Sequence, residues 1–272
     1  MARRNYDESE LPQCTELIVV CCHGTYTGTV NGTEDALSEP QWTLQDFQRA
    51  DPRGHRSSEI ATFASHIIAG ALACHASPKA MLMFSGGRTT SSDRSEAESY
   101  AKVLPSLVPR PILQAVLPRM AVEDQATDSH QNLLFSILRF HTLTGRYPSY
   151  VTVITHAFKV RRFLEIHGGA IRWPAERLRV QGINPPFTIA EQRETEHLEY
   201  EKAYKLFEAD PYGMRPPLAT KRIARNWRPQ AAEGLSKDAV VKRLLAWESG
   251  ESGSEKFPEE LPWSTTKFLD TE

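Results

Sequence analysis

Short, almost continuous apolar runs recur along this chain, and longer stretches with helical spacing separate them. The first, Leu17-Ile18-Val19-Val20-Cys21-Cys22, offers no polar side to water. A run of this kind suits a parallel strand covered on both faces. The signal returns over 80–85, 112–117 and 150–155, the last rich in β-branched residues, and 178–183 reads as a short fifth strand. Helices are predicted between these runs. Ile60, Phe63, Ile67 and Ala71 form an apolar stripe within 57–76, with Ser57 or Ser58 as cap. Ser95-x-x-Glu98 has the form of a capping box, for a helix ending before Pro105 or Pro109. Leu133, Leu134, Ile137 and Leu138 mark a third helix, closed by Gly145. A fourth runs from Phe158 to His167, with Gly168-Gly169 as its stop. The alternation predicts an α/β fold: a Rossmann-like, mainly parallel sheet with flanking helices, right-handed crossovers and a helical C-terminal extension.

The organisation follows from where this alternation begins and ends. Residues 1–15 are polar and are expected to be disordered, and 16–183 form the sheet domain. Residues 184–247 are expected to be a helical cap on the same domain, and 248–272 a loosely ordered tail. In the cap, Thr188-x-x-Glu191 starts a helix reaching Phe207, and Val240, Val241, Leu244 and Leu245 mark another within 236–247. Asp210-Pro211-Tyr212-Gly213 reads as a turn that brings Lys221, Arg222 and Arg225 back toward the sheet. The polar stretch 24–55, with Gly24, Gly28, Gly32, Pro40, Pro52 and Gly54, is too long for a simple connection. It reads as a functional loop or lid pinned by Trp42, Leu44 and Phe47.

The chain has 272 residues, 24% of them charged, and a net charge of -2. There is no overall basic field for nucleic acid or for an anionic membrane, so neither is expected as a partner. The N-terminus lacks the apolar core of a signal peptide, and no run reaches the ~18–20 apolar residues of a membrane-spanning helix. Cys14, Cys21, Cys22 and Cys74 show no paired spacing, which suits free core cysteines in a reducing, cytoplasmic setting.

Ligands in parallel sheets bind beyond the carboxyl ends of strands. Four such ends are polar or glycine-rich here. The first carries His23 and Thr25. The second, Ser85-Gly86-Gly87-Arg88, combines two glycines that permit a sharp turn with a guanidinium suited to an anion. After the third come Glu123, Asp124, Asp128 and Asn132. The carboxylates are candidates for proton transfer, for binding a hydroxyl or for holding a divalent ion, and Asp128 or Ser129 is also a natural helix cap. Beyond the fourth lie Thr155, His156, Lys159 and Arg162. Lys159 and Arg162 share a helix face near a positive helix end, where a bound anion would explain them and helix stability would not. Arg88, Lys159 and Arg162 are expected to converge on one anion. Neither the Walker lysine, nor GxGxxG, HExxH or GxSxG is present, and no metal-ligand spacing is found.

In order, Phe84-Ser85-Gly86-Gly87, Ser95-Glu96-Ala97-Glu98, Glu123-Asp124, Asp128-Ser129 with Asn132, and Val153-Ile154-Thr155 with Lys159 and Arg162 resemble the YdcF/ElyC/SanA domain family. The resemblance covers roughly 16–170. It departs at Lys159, where bacterial members usually carry histidine, and at His156, where they carry serine. The C-terminal part looks like a eukaryotic, fungal-type soluble branch. The resemblance implies a Rossmann-like sheet and no defined activity, and one bacterial relative is associated with S-adenosylmethionine. Two readings stand side by side. One is an enzyme acting on a small anionic, phosphorylated or nucleotide-like metabolite. The other is a non-catalytic ligand-binding or regulatory protein. No cofactor or oligomeric state is read from the sequence.

Overall fold

The computed structural model describes residues 8–29, 31–51 and 56–264. Five parallel strands form the central sheet: β1 (Glu16–Cys21), β2 (Ala80–Ser85), β3 (Met120–Glu123), β4 (Tyr150–Thr155) and β5 (Leu178–Gly182). Their order across the sheet is β3-β2-β1-β4-β5. The chain steps outward from β1 to β3, then returns to pair β4 with the other side of β1. That reversal leaves a crevice beyond the carboxyl ends of β1 and β4. The fold is α/β and Rossmann-like, as the alternating pattern predicts.

Helices α1 (Ile60–Ala76), α2 (Glu96–Leu107) and α3 (Arg110–Val116) come before β3. Helix α4 (Ser129–Thr144) leads into β4, and α5 (157–170) follows it. The C-terminal part adds α6 (189–209), α7 (Leu218–Ala224) and α8 (Ala239–Leu245). Strand alternation sorts the core into two layers. Ile18, Val20, Leu82 and Phe84 pack with Phe63 and Ile67 of α1 and with Tyr100 and Leu104 of α2. Leu17, Val19, Met81 and Met83 face the other way, onto Leu133 and Ile137 of α4 and Val241 and Leu244 of α8. Each such buried side chain contributes about 1.5–3 kcal/mol relative to exposure. Gly70 lets α1 lie close on this sheet, since a Cβ there would sit 2.4 Å from Val20 Cγ2. All four cysteines are buried, and none is in a disulfide. Among the described residues no helix is long and apolar enough to cross a membrane.

Several expectations are corrected. The run 112–117 is not a strand. It lies largely in α3, with Pro111 in the first turn and Val116 fully buried, and the strand is formed by Met120–Glu123 instead. A short apolar run fits either element, and proline in the first turn favours the helix. Of the two ends expected for α2, Pro105 lies inside the helix, which continues to Leu107 and stops before Pro109. Gly168 and Gly169 do not stop α5, because Gly168 is right-handed helical and its missing side chain makes room for Leu178 of β5. Gly145 does close α4, at φ 74.

Neither terminus is as loose as expected. Glu8–Gln13 form a 3-10 turn, and Leu11 and Cys14 are buried in the core. Phe257, Leu261 and Trp263 of the expected tail are fully buried there too. Apolar side chains spaced through a polar segment are enough to anchor it when a core groove receives them. Residues 1–7 and 265–272 lie outside the described residues, as do Pro52 and Gly54. In the loop before α1, Trp42 and Leu44 are buried as expected, but Phe47 is 61% exposed and pins nothing.

Candidate functional site

Beyond β1 and β4 opens a crevice of about 1080 Å³. Its walls come from the β1 end, the loop 43–51, the starts of α4 and α5, and helices α6 and α7. Of the strand-end residues singled out in the sequence, His23, Asp128, Ser129, Asn132, Thr155, His156, Lys159 and Arg162 line it. Thr25, Ser85, Gly86, Gly87, Arg88, Glu123 and Asp124 are not in its lining.

The Ser85-Gly86-Gly87 turn is a joint rather than a cradle. The Gly86 N–H donates to Glu123 O at 3.0 Å, and the Gly87 N–H to Ala126 O at 2.6 Å. Ser85 Oγ donates to Glu123 Oε2 at 2.5 Å, and Asn132 Nδ2 donates to Ser85 Oγ at 2.9 Å. A Cβ on Gly87 would stand 2.8 Å from Ala126 O, so the glycine serves close docking of two loops. With its N–H groups spent inside the fold, the turn has none to offer an anion. Arg88 turns away, 55% exposed, toward Glu98 at 3.8 Å. The expected convergence of Arg88 with Lys159 is therefore corrected: Arg88 does not line the crevice.

The candidate acids divide in the same way. Glu123 is buried and accepts the backbone N–H groups of Gln125 and Ala126 at 2.7 and 3.0 Å. Burial pushes its carboxyl up to about 7, against hydrogen bonds from Ser85, Gln125 and Ala126. It holds the loop and faces no solvent-filled space. Asp124 Oδ1 accepts from Gln125 Nε2 outside the crevice. Asp128 caps α4 through the Gln131 N–H and pairs with Arg222 at 2.6 Å. Burial works to raise the Asp128 carboxyl, but the Arg222 charge and hydrogen bond outweigh it and hold the group below its usual value.

A positive wall faces the start of α4. Lys159 and the buried Arg162 come from α5, and Lys221, Arg222 and Arg225 from α7 and just beyond it. Arg162 pairs with Glu199 at 2.8 Å, while Arg225 donates to Thr127 O at 2.7 Å. Burial and the neighbouring Arg162 charge lower Lys159 to about 8. Burial, then Arg225 and Arg162, lowers Lys221 as well. Arg162 Nε and Arg222 Nη2 are buried with no hydrogen-bond partner among the described residues. The basic C-terminal residues thus reach the crevice, as the turn at 210–213 implied.

On the other side stands a neutral cluster. The His23 and His156 rings lie 4.4 Å apart and His66 and His156 4.9 Å apart, and Lys159 Nζ is 3.5 Å from His23 Nδ1. His66 Nε2 meets Ile183 O at 2.9 Å. Burial first, then the Lys159 charge, holds His23 and His156 well below the usual histidine range. Burial brings His66 down to about 3. Cys21, on the floor, is pushed up to about 12 by burial and stays a thiol.

Sequence reasoning missed several lining residues. Glu96, read only as part of the helix start, lines the crevice, accepts from Thr89 Oγ1 at 2.5 Å and is pushed up to about 7 by burial. Glu59 and Glu199 also line it, and their carboxyls are raised by burial. Ser129, read as an alternative cap, lies in the lining with its Oγ 2.8 Å from His167 Nε2. Its place in the first turn after β3 was a usable signal. Nothing in the sequence marks His167, which reaches Ser129 through a π-helical stretch, Phe163–His167.

No family model matches this chain, and no solved structure matches it. A protein of Saccharomyces cerevisiae described as "Uncharacterized protein YOR238W" is 25% identical over 300 residues, which span 93% of this chain and 98% of that protein.

Proposed function

We propose that this protein binds a small anionic metabolite, phosphorylated or nucleotide-like, in the crevice at the β1/β4 reversal. The observation that carries this reading is the wall of Lys159, Arg162, Lys221, Arg222 and Arg225 in a chain of net charge -2. Asp128 and Glu199 pair directly with only two of the five. Cations that lower one another's proton affinity gain most from an anion placed among them. The N-terminal end of α4 adds a favourable dipole at the same wall. The order of the strand-end motifs supports kinship with YdcF/ElyC/SanA-like proteins as part of this proposal.

Titration calorimetry with inorganic phosphate, pyrophosphate, a nucleoside monophosphate and an uncharged sugar tests it. The phosphate-bearing probes are expected to bind and the sugar is not. Lys159→Met and Arg225→Met should each weaken phosphate binding by about 1.5–3 kcal/mol, the range for hydrogen bonds to charged groups. Phosphate affinity should also fall as pH rises through about 8, where Lys159 loses its proton. Absence of binding, or unchanged affinity in both folded variants, overturns the reading.

A further inference from the structure

We propose that Ser129 is a nucleophile, with His167 as its proton acceptor, and that the crevice hydrolyses phosphate monoesters through a phosphoserine intermediate. This inference rests on the anion-binding reading and adds chemistry to it. Ser129 Oγ lies in the crevice lining, 2.8 Å from His167 Nε2, within the hydrogen-bond reach that a nucleophile and its base require. His167 is fully buried behind it, with the rings of Phe163 and Phe207 packed nearly perpendicular to its own. Packing on two sides fixes the imidazole where the serine proton must go.

The charges around this pair favour phosphorus over a carbonyl carbon. Arg162 and Arg222 line the same crevice, 6% and 4% exposed, each held by a carboxylate, Glu199 at 2.8 Å and Asp128 at 2.6 Å. Two guanidiniums suit the oxygens of a phosphoryl group, whose transition state spreads negative charge over three of them. The first turn of α4, which carries Ser129, borders the site with its positive end. Burial, then Arg162, His130 and Arg222, keeps His167 neutral. With the ring proton on Nδ1, which has no hydrogen-bond partner among the described residues, Nε2 accepts from Ser129. A bound dianion would offset the two arginine charges and make His167 more basic only when substrate is present. The π-helical stretch Phe163–His167 fits this role, since such irregular turns gather at functional sites.

The reaction balances with water as co-reactant. Ser129 Oγ attacks phosphorus while its proton passes to His167 Nε2, and the bond from phosphorus to the alcohol oxygen breaks. The leaving oxygen takes the proton from His167 and departs as an alcohol. Water then attacks the phosphoserine and gives a proton to His167, which returns it to Ser129 Oγ as phosphate leaves.

The test uses the full-length protein with p-nitrophenyl phosphate, ribose 5-phosphate and a nucleoside 5′-monophosphate. Released phosphate is measured, and acid-quenched protein is mapped by mass spectrometry. Turnover is expected on at least one ester, with phosphate on Ser129. Ser129→Ala should lower turnover by about 100-fold or more while inorganic phosphate still binds, and alanine suits this helix position. His167→Gln should show a comparable loss, and in the wild type turnover should fall as acid protonates His167. Retained turnover in a folded Ser129→Ala protein overturns the proposal. So does a wild type that binds phosphate calorimetrically yet cleaves none of the three esters, and that outcome leaves the anion-binding reading standing. A wild type that binds no phosphate overturns both.

Discussion

The carboxyl ends of β2 and β4 lie on either side of β1, yet one is closed and the other open. At the β2 end, the Gly86 and Gly87 N–H groups, Ser85 Oγ, Asn132 Nδ2 and the Glu123 carboxylate all hydrogen-bond one another or the loop at 125–126. At the β4 end, His156 Nδ1 and Arg162 Nε are buried without hydrogen-bond partners among the described residues, and His156 Nε2 has the Glu59 carboxylate at 3.5 Å. Resemblance to a ligand loop is therefore a poor guide, because a glycine turn can spend its donors on the fold. What a ligand can use is the hydrogen-bonding capacity left over.

Two sets of buried groups titrate with opposite sign, and acid should reveal it. Near β1 and β4, His23, His66 and His156 are held below their usual value by burial, and so are His130 and His167 beside α4. A histidine lowered in the folded state binds fewer protons there than in the unfolded chain. Its contribution is present above about 6.5 and is lost as pH falls toward about 3 for His66 and about 4 for His130. Glu96 and Glu123, raised to about 7 by burial, act the other way and lose stability as pH rises from 4.5 to about 7. The two sets oppose each other between 4.5 and 6.5; below 4.5 the histidine loss continues and is joined by that of Asp128, whose carboxyl, against burial, Arg222 holds below its usual value. Urea unfolding across pH 4–8 should show maximum stability near the histidine value and a steep fall below 4.5. His156→Phe should flatten the acid limb. A limb unchanged by that substitution would break the assignment to the β4 end.

Glu123→Ala sharpens the comparison from the closed side. It strands the Gln125 and Ala126 N–H groups and leaves a cavity in a fully packed joint. The expected loss is about 3–5 kcal/mol in urea unfolding, with phosphate affinity unchanged in the protein that remains folded. If phosphate affinity falls while stability holds, the closed end is part of the site after all.

Arg88→Ala should have the smallest effect. A half-exposed side chain 3.8 Å from its carboxylate adds little, so stability should stay within about 0.5 kcal/mol. Phosphate binding by calorimetry should be unaltered. A tenfold weaker affinity would return Arg88 to the crevice.

β1, β2 and β4 could be read directly, since an almost wholly apolar run is covered on both sides, and 178–183 could be read as a short strand. The caps of α2, α4 and α6, at Ser95, Asp128 and Thr188, were equally local and equally legible. The run 112–117 was not, because a short apolar segment has no period of its own. Lys159 and Arg162 could be found because two cations at a helix start conflict with the helix dipole. Residues 8–13 and 257–263 were misread because a few buried side chains, not average polarity, decide whether a segment is held.

By itself, then, the sequence determined the layered α/β fold and the strand ends where polar groups gather, because burial period and capping are properties of neighbouring residues. Tertiary structure alone decided which of those ends is free. Whether Gly87 meets a ligand or Ala126, and whether His167 reaches Ser129, depends on residues tens of positions apart. Hydrogen-bond saturation is a property of the packed whole, so no local pattern can carry it.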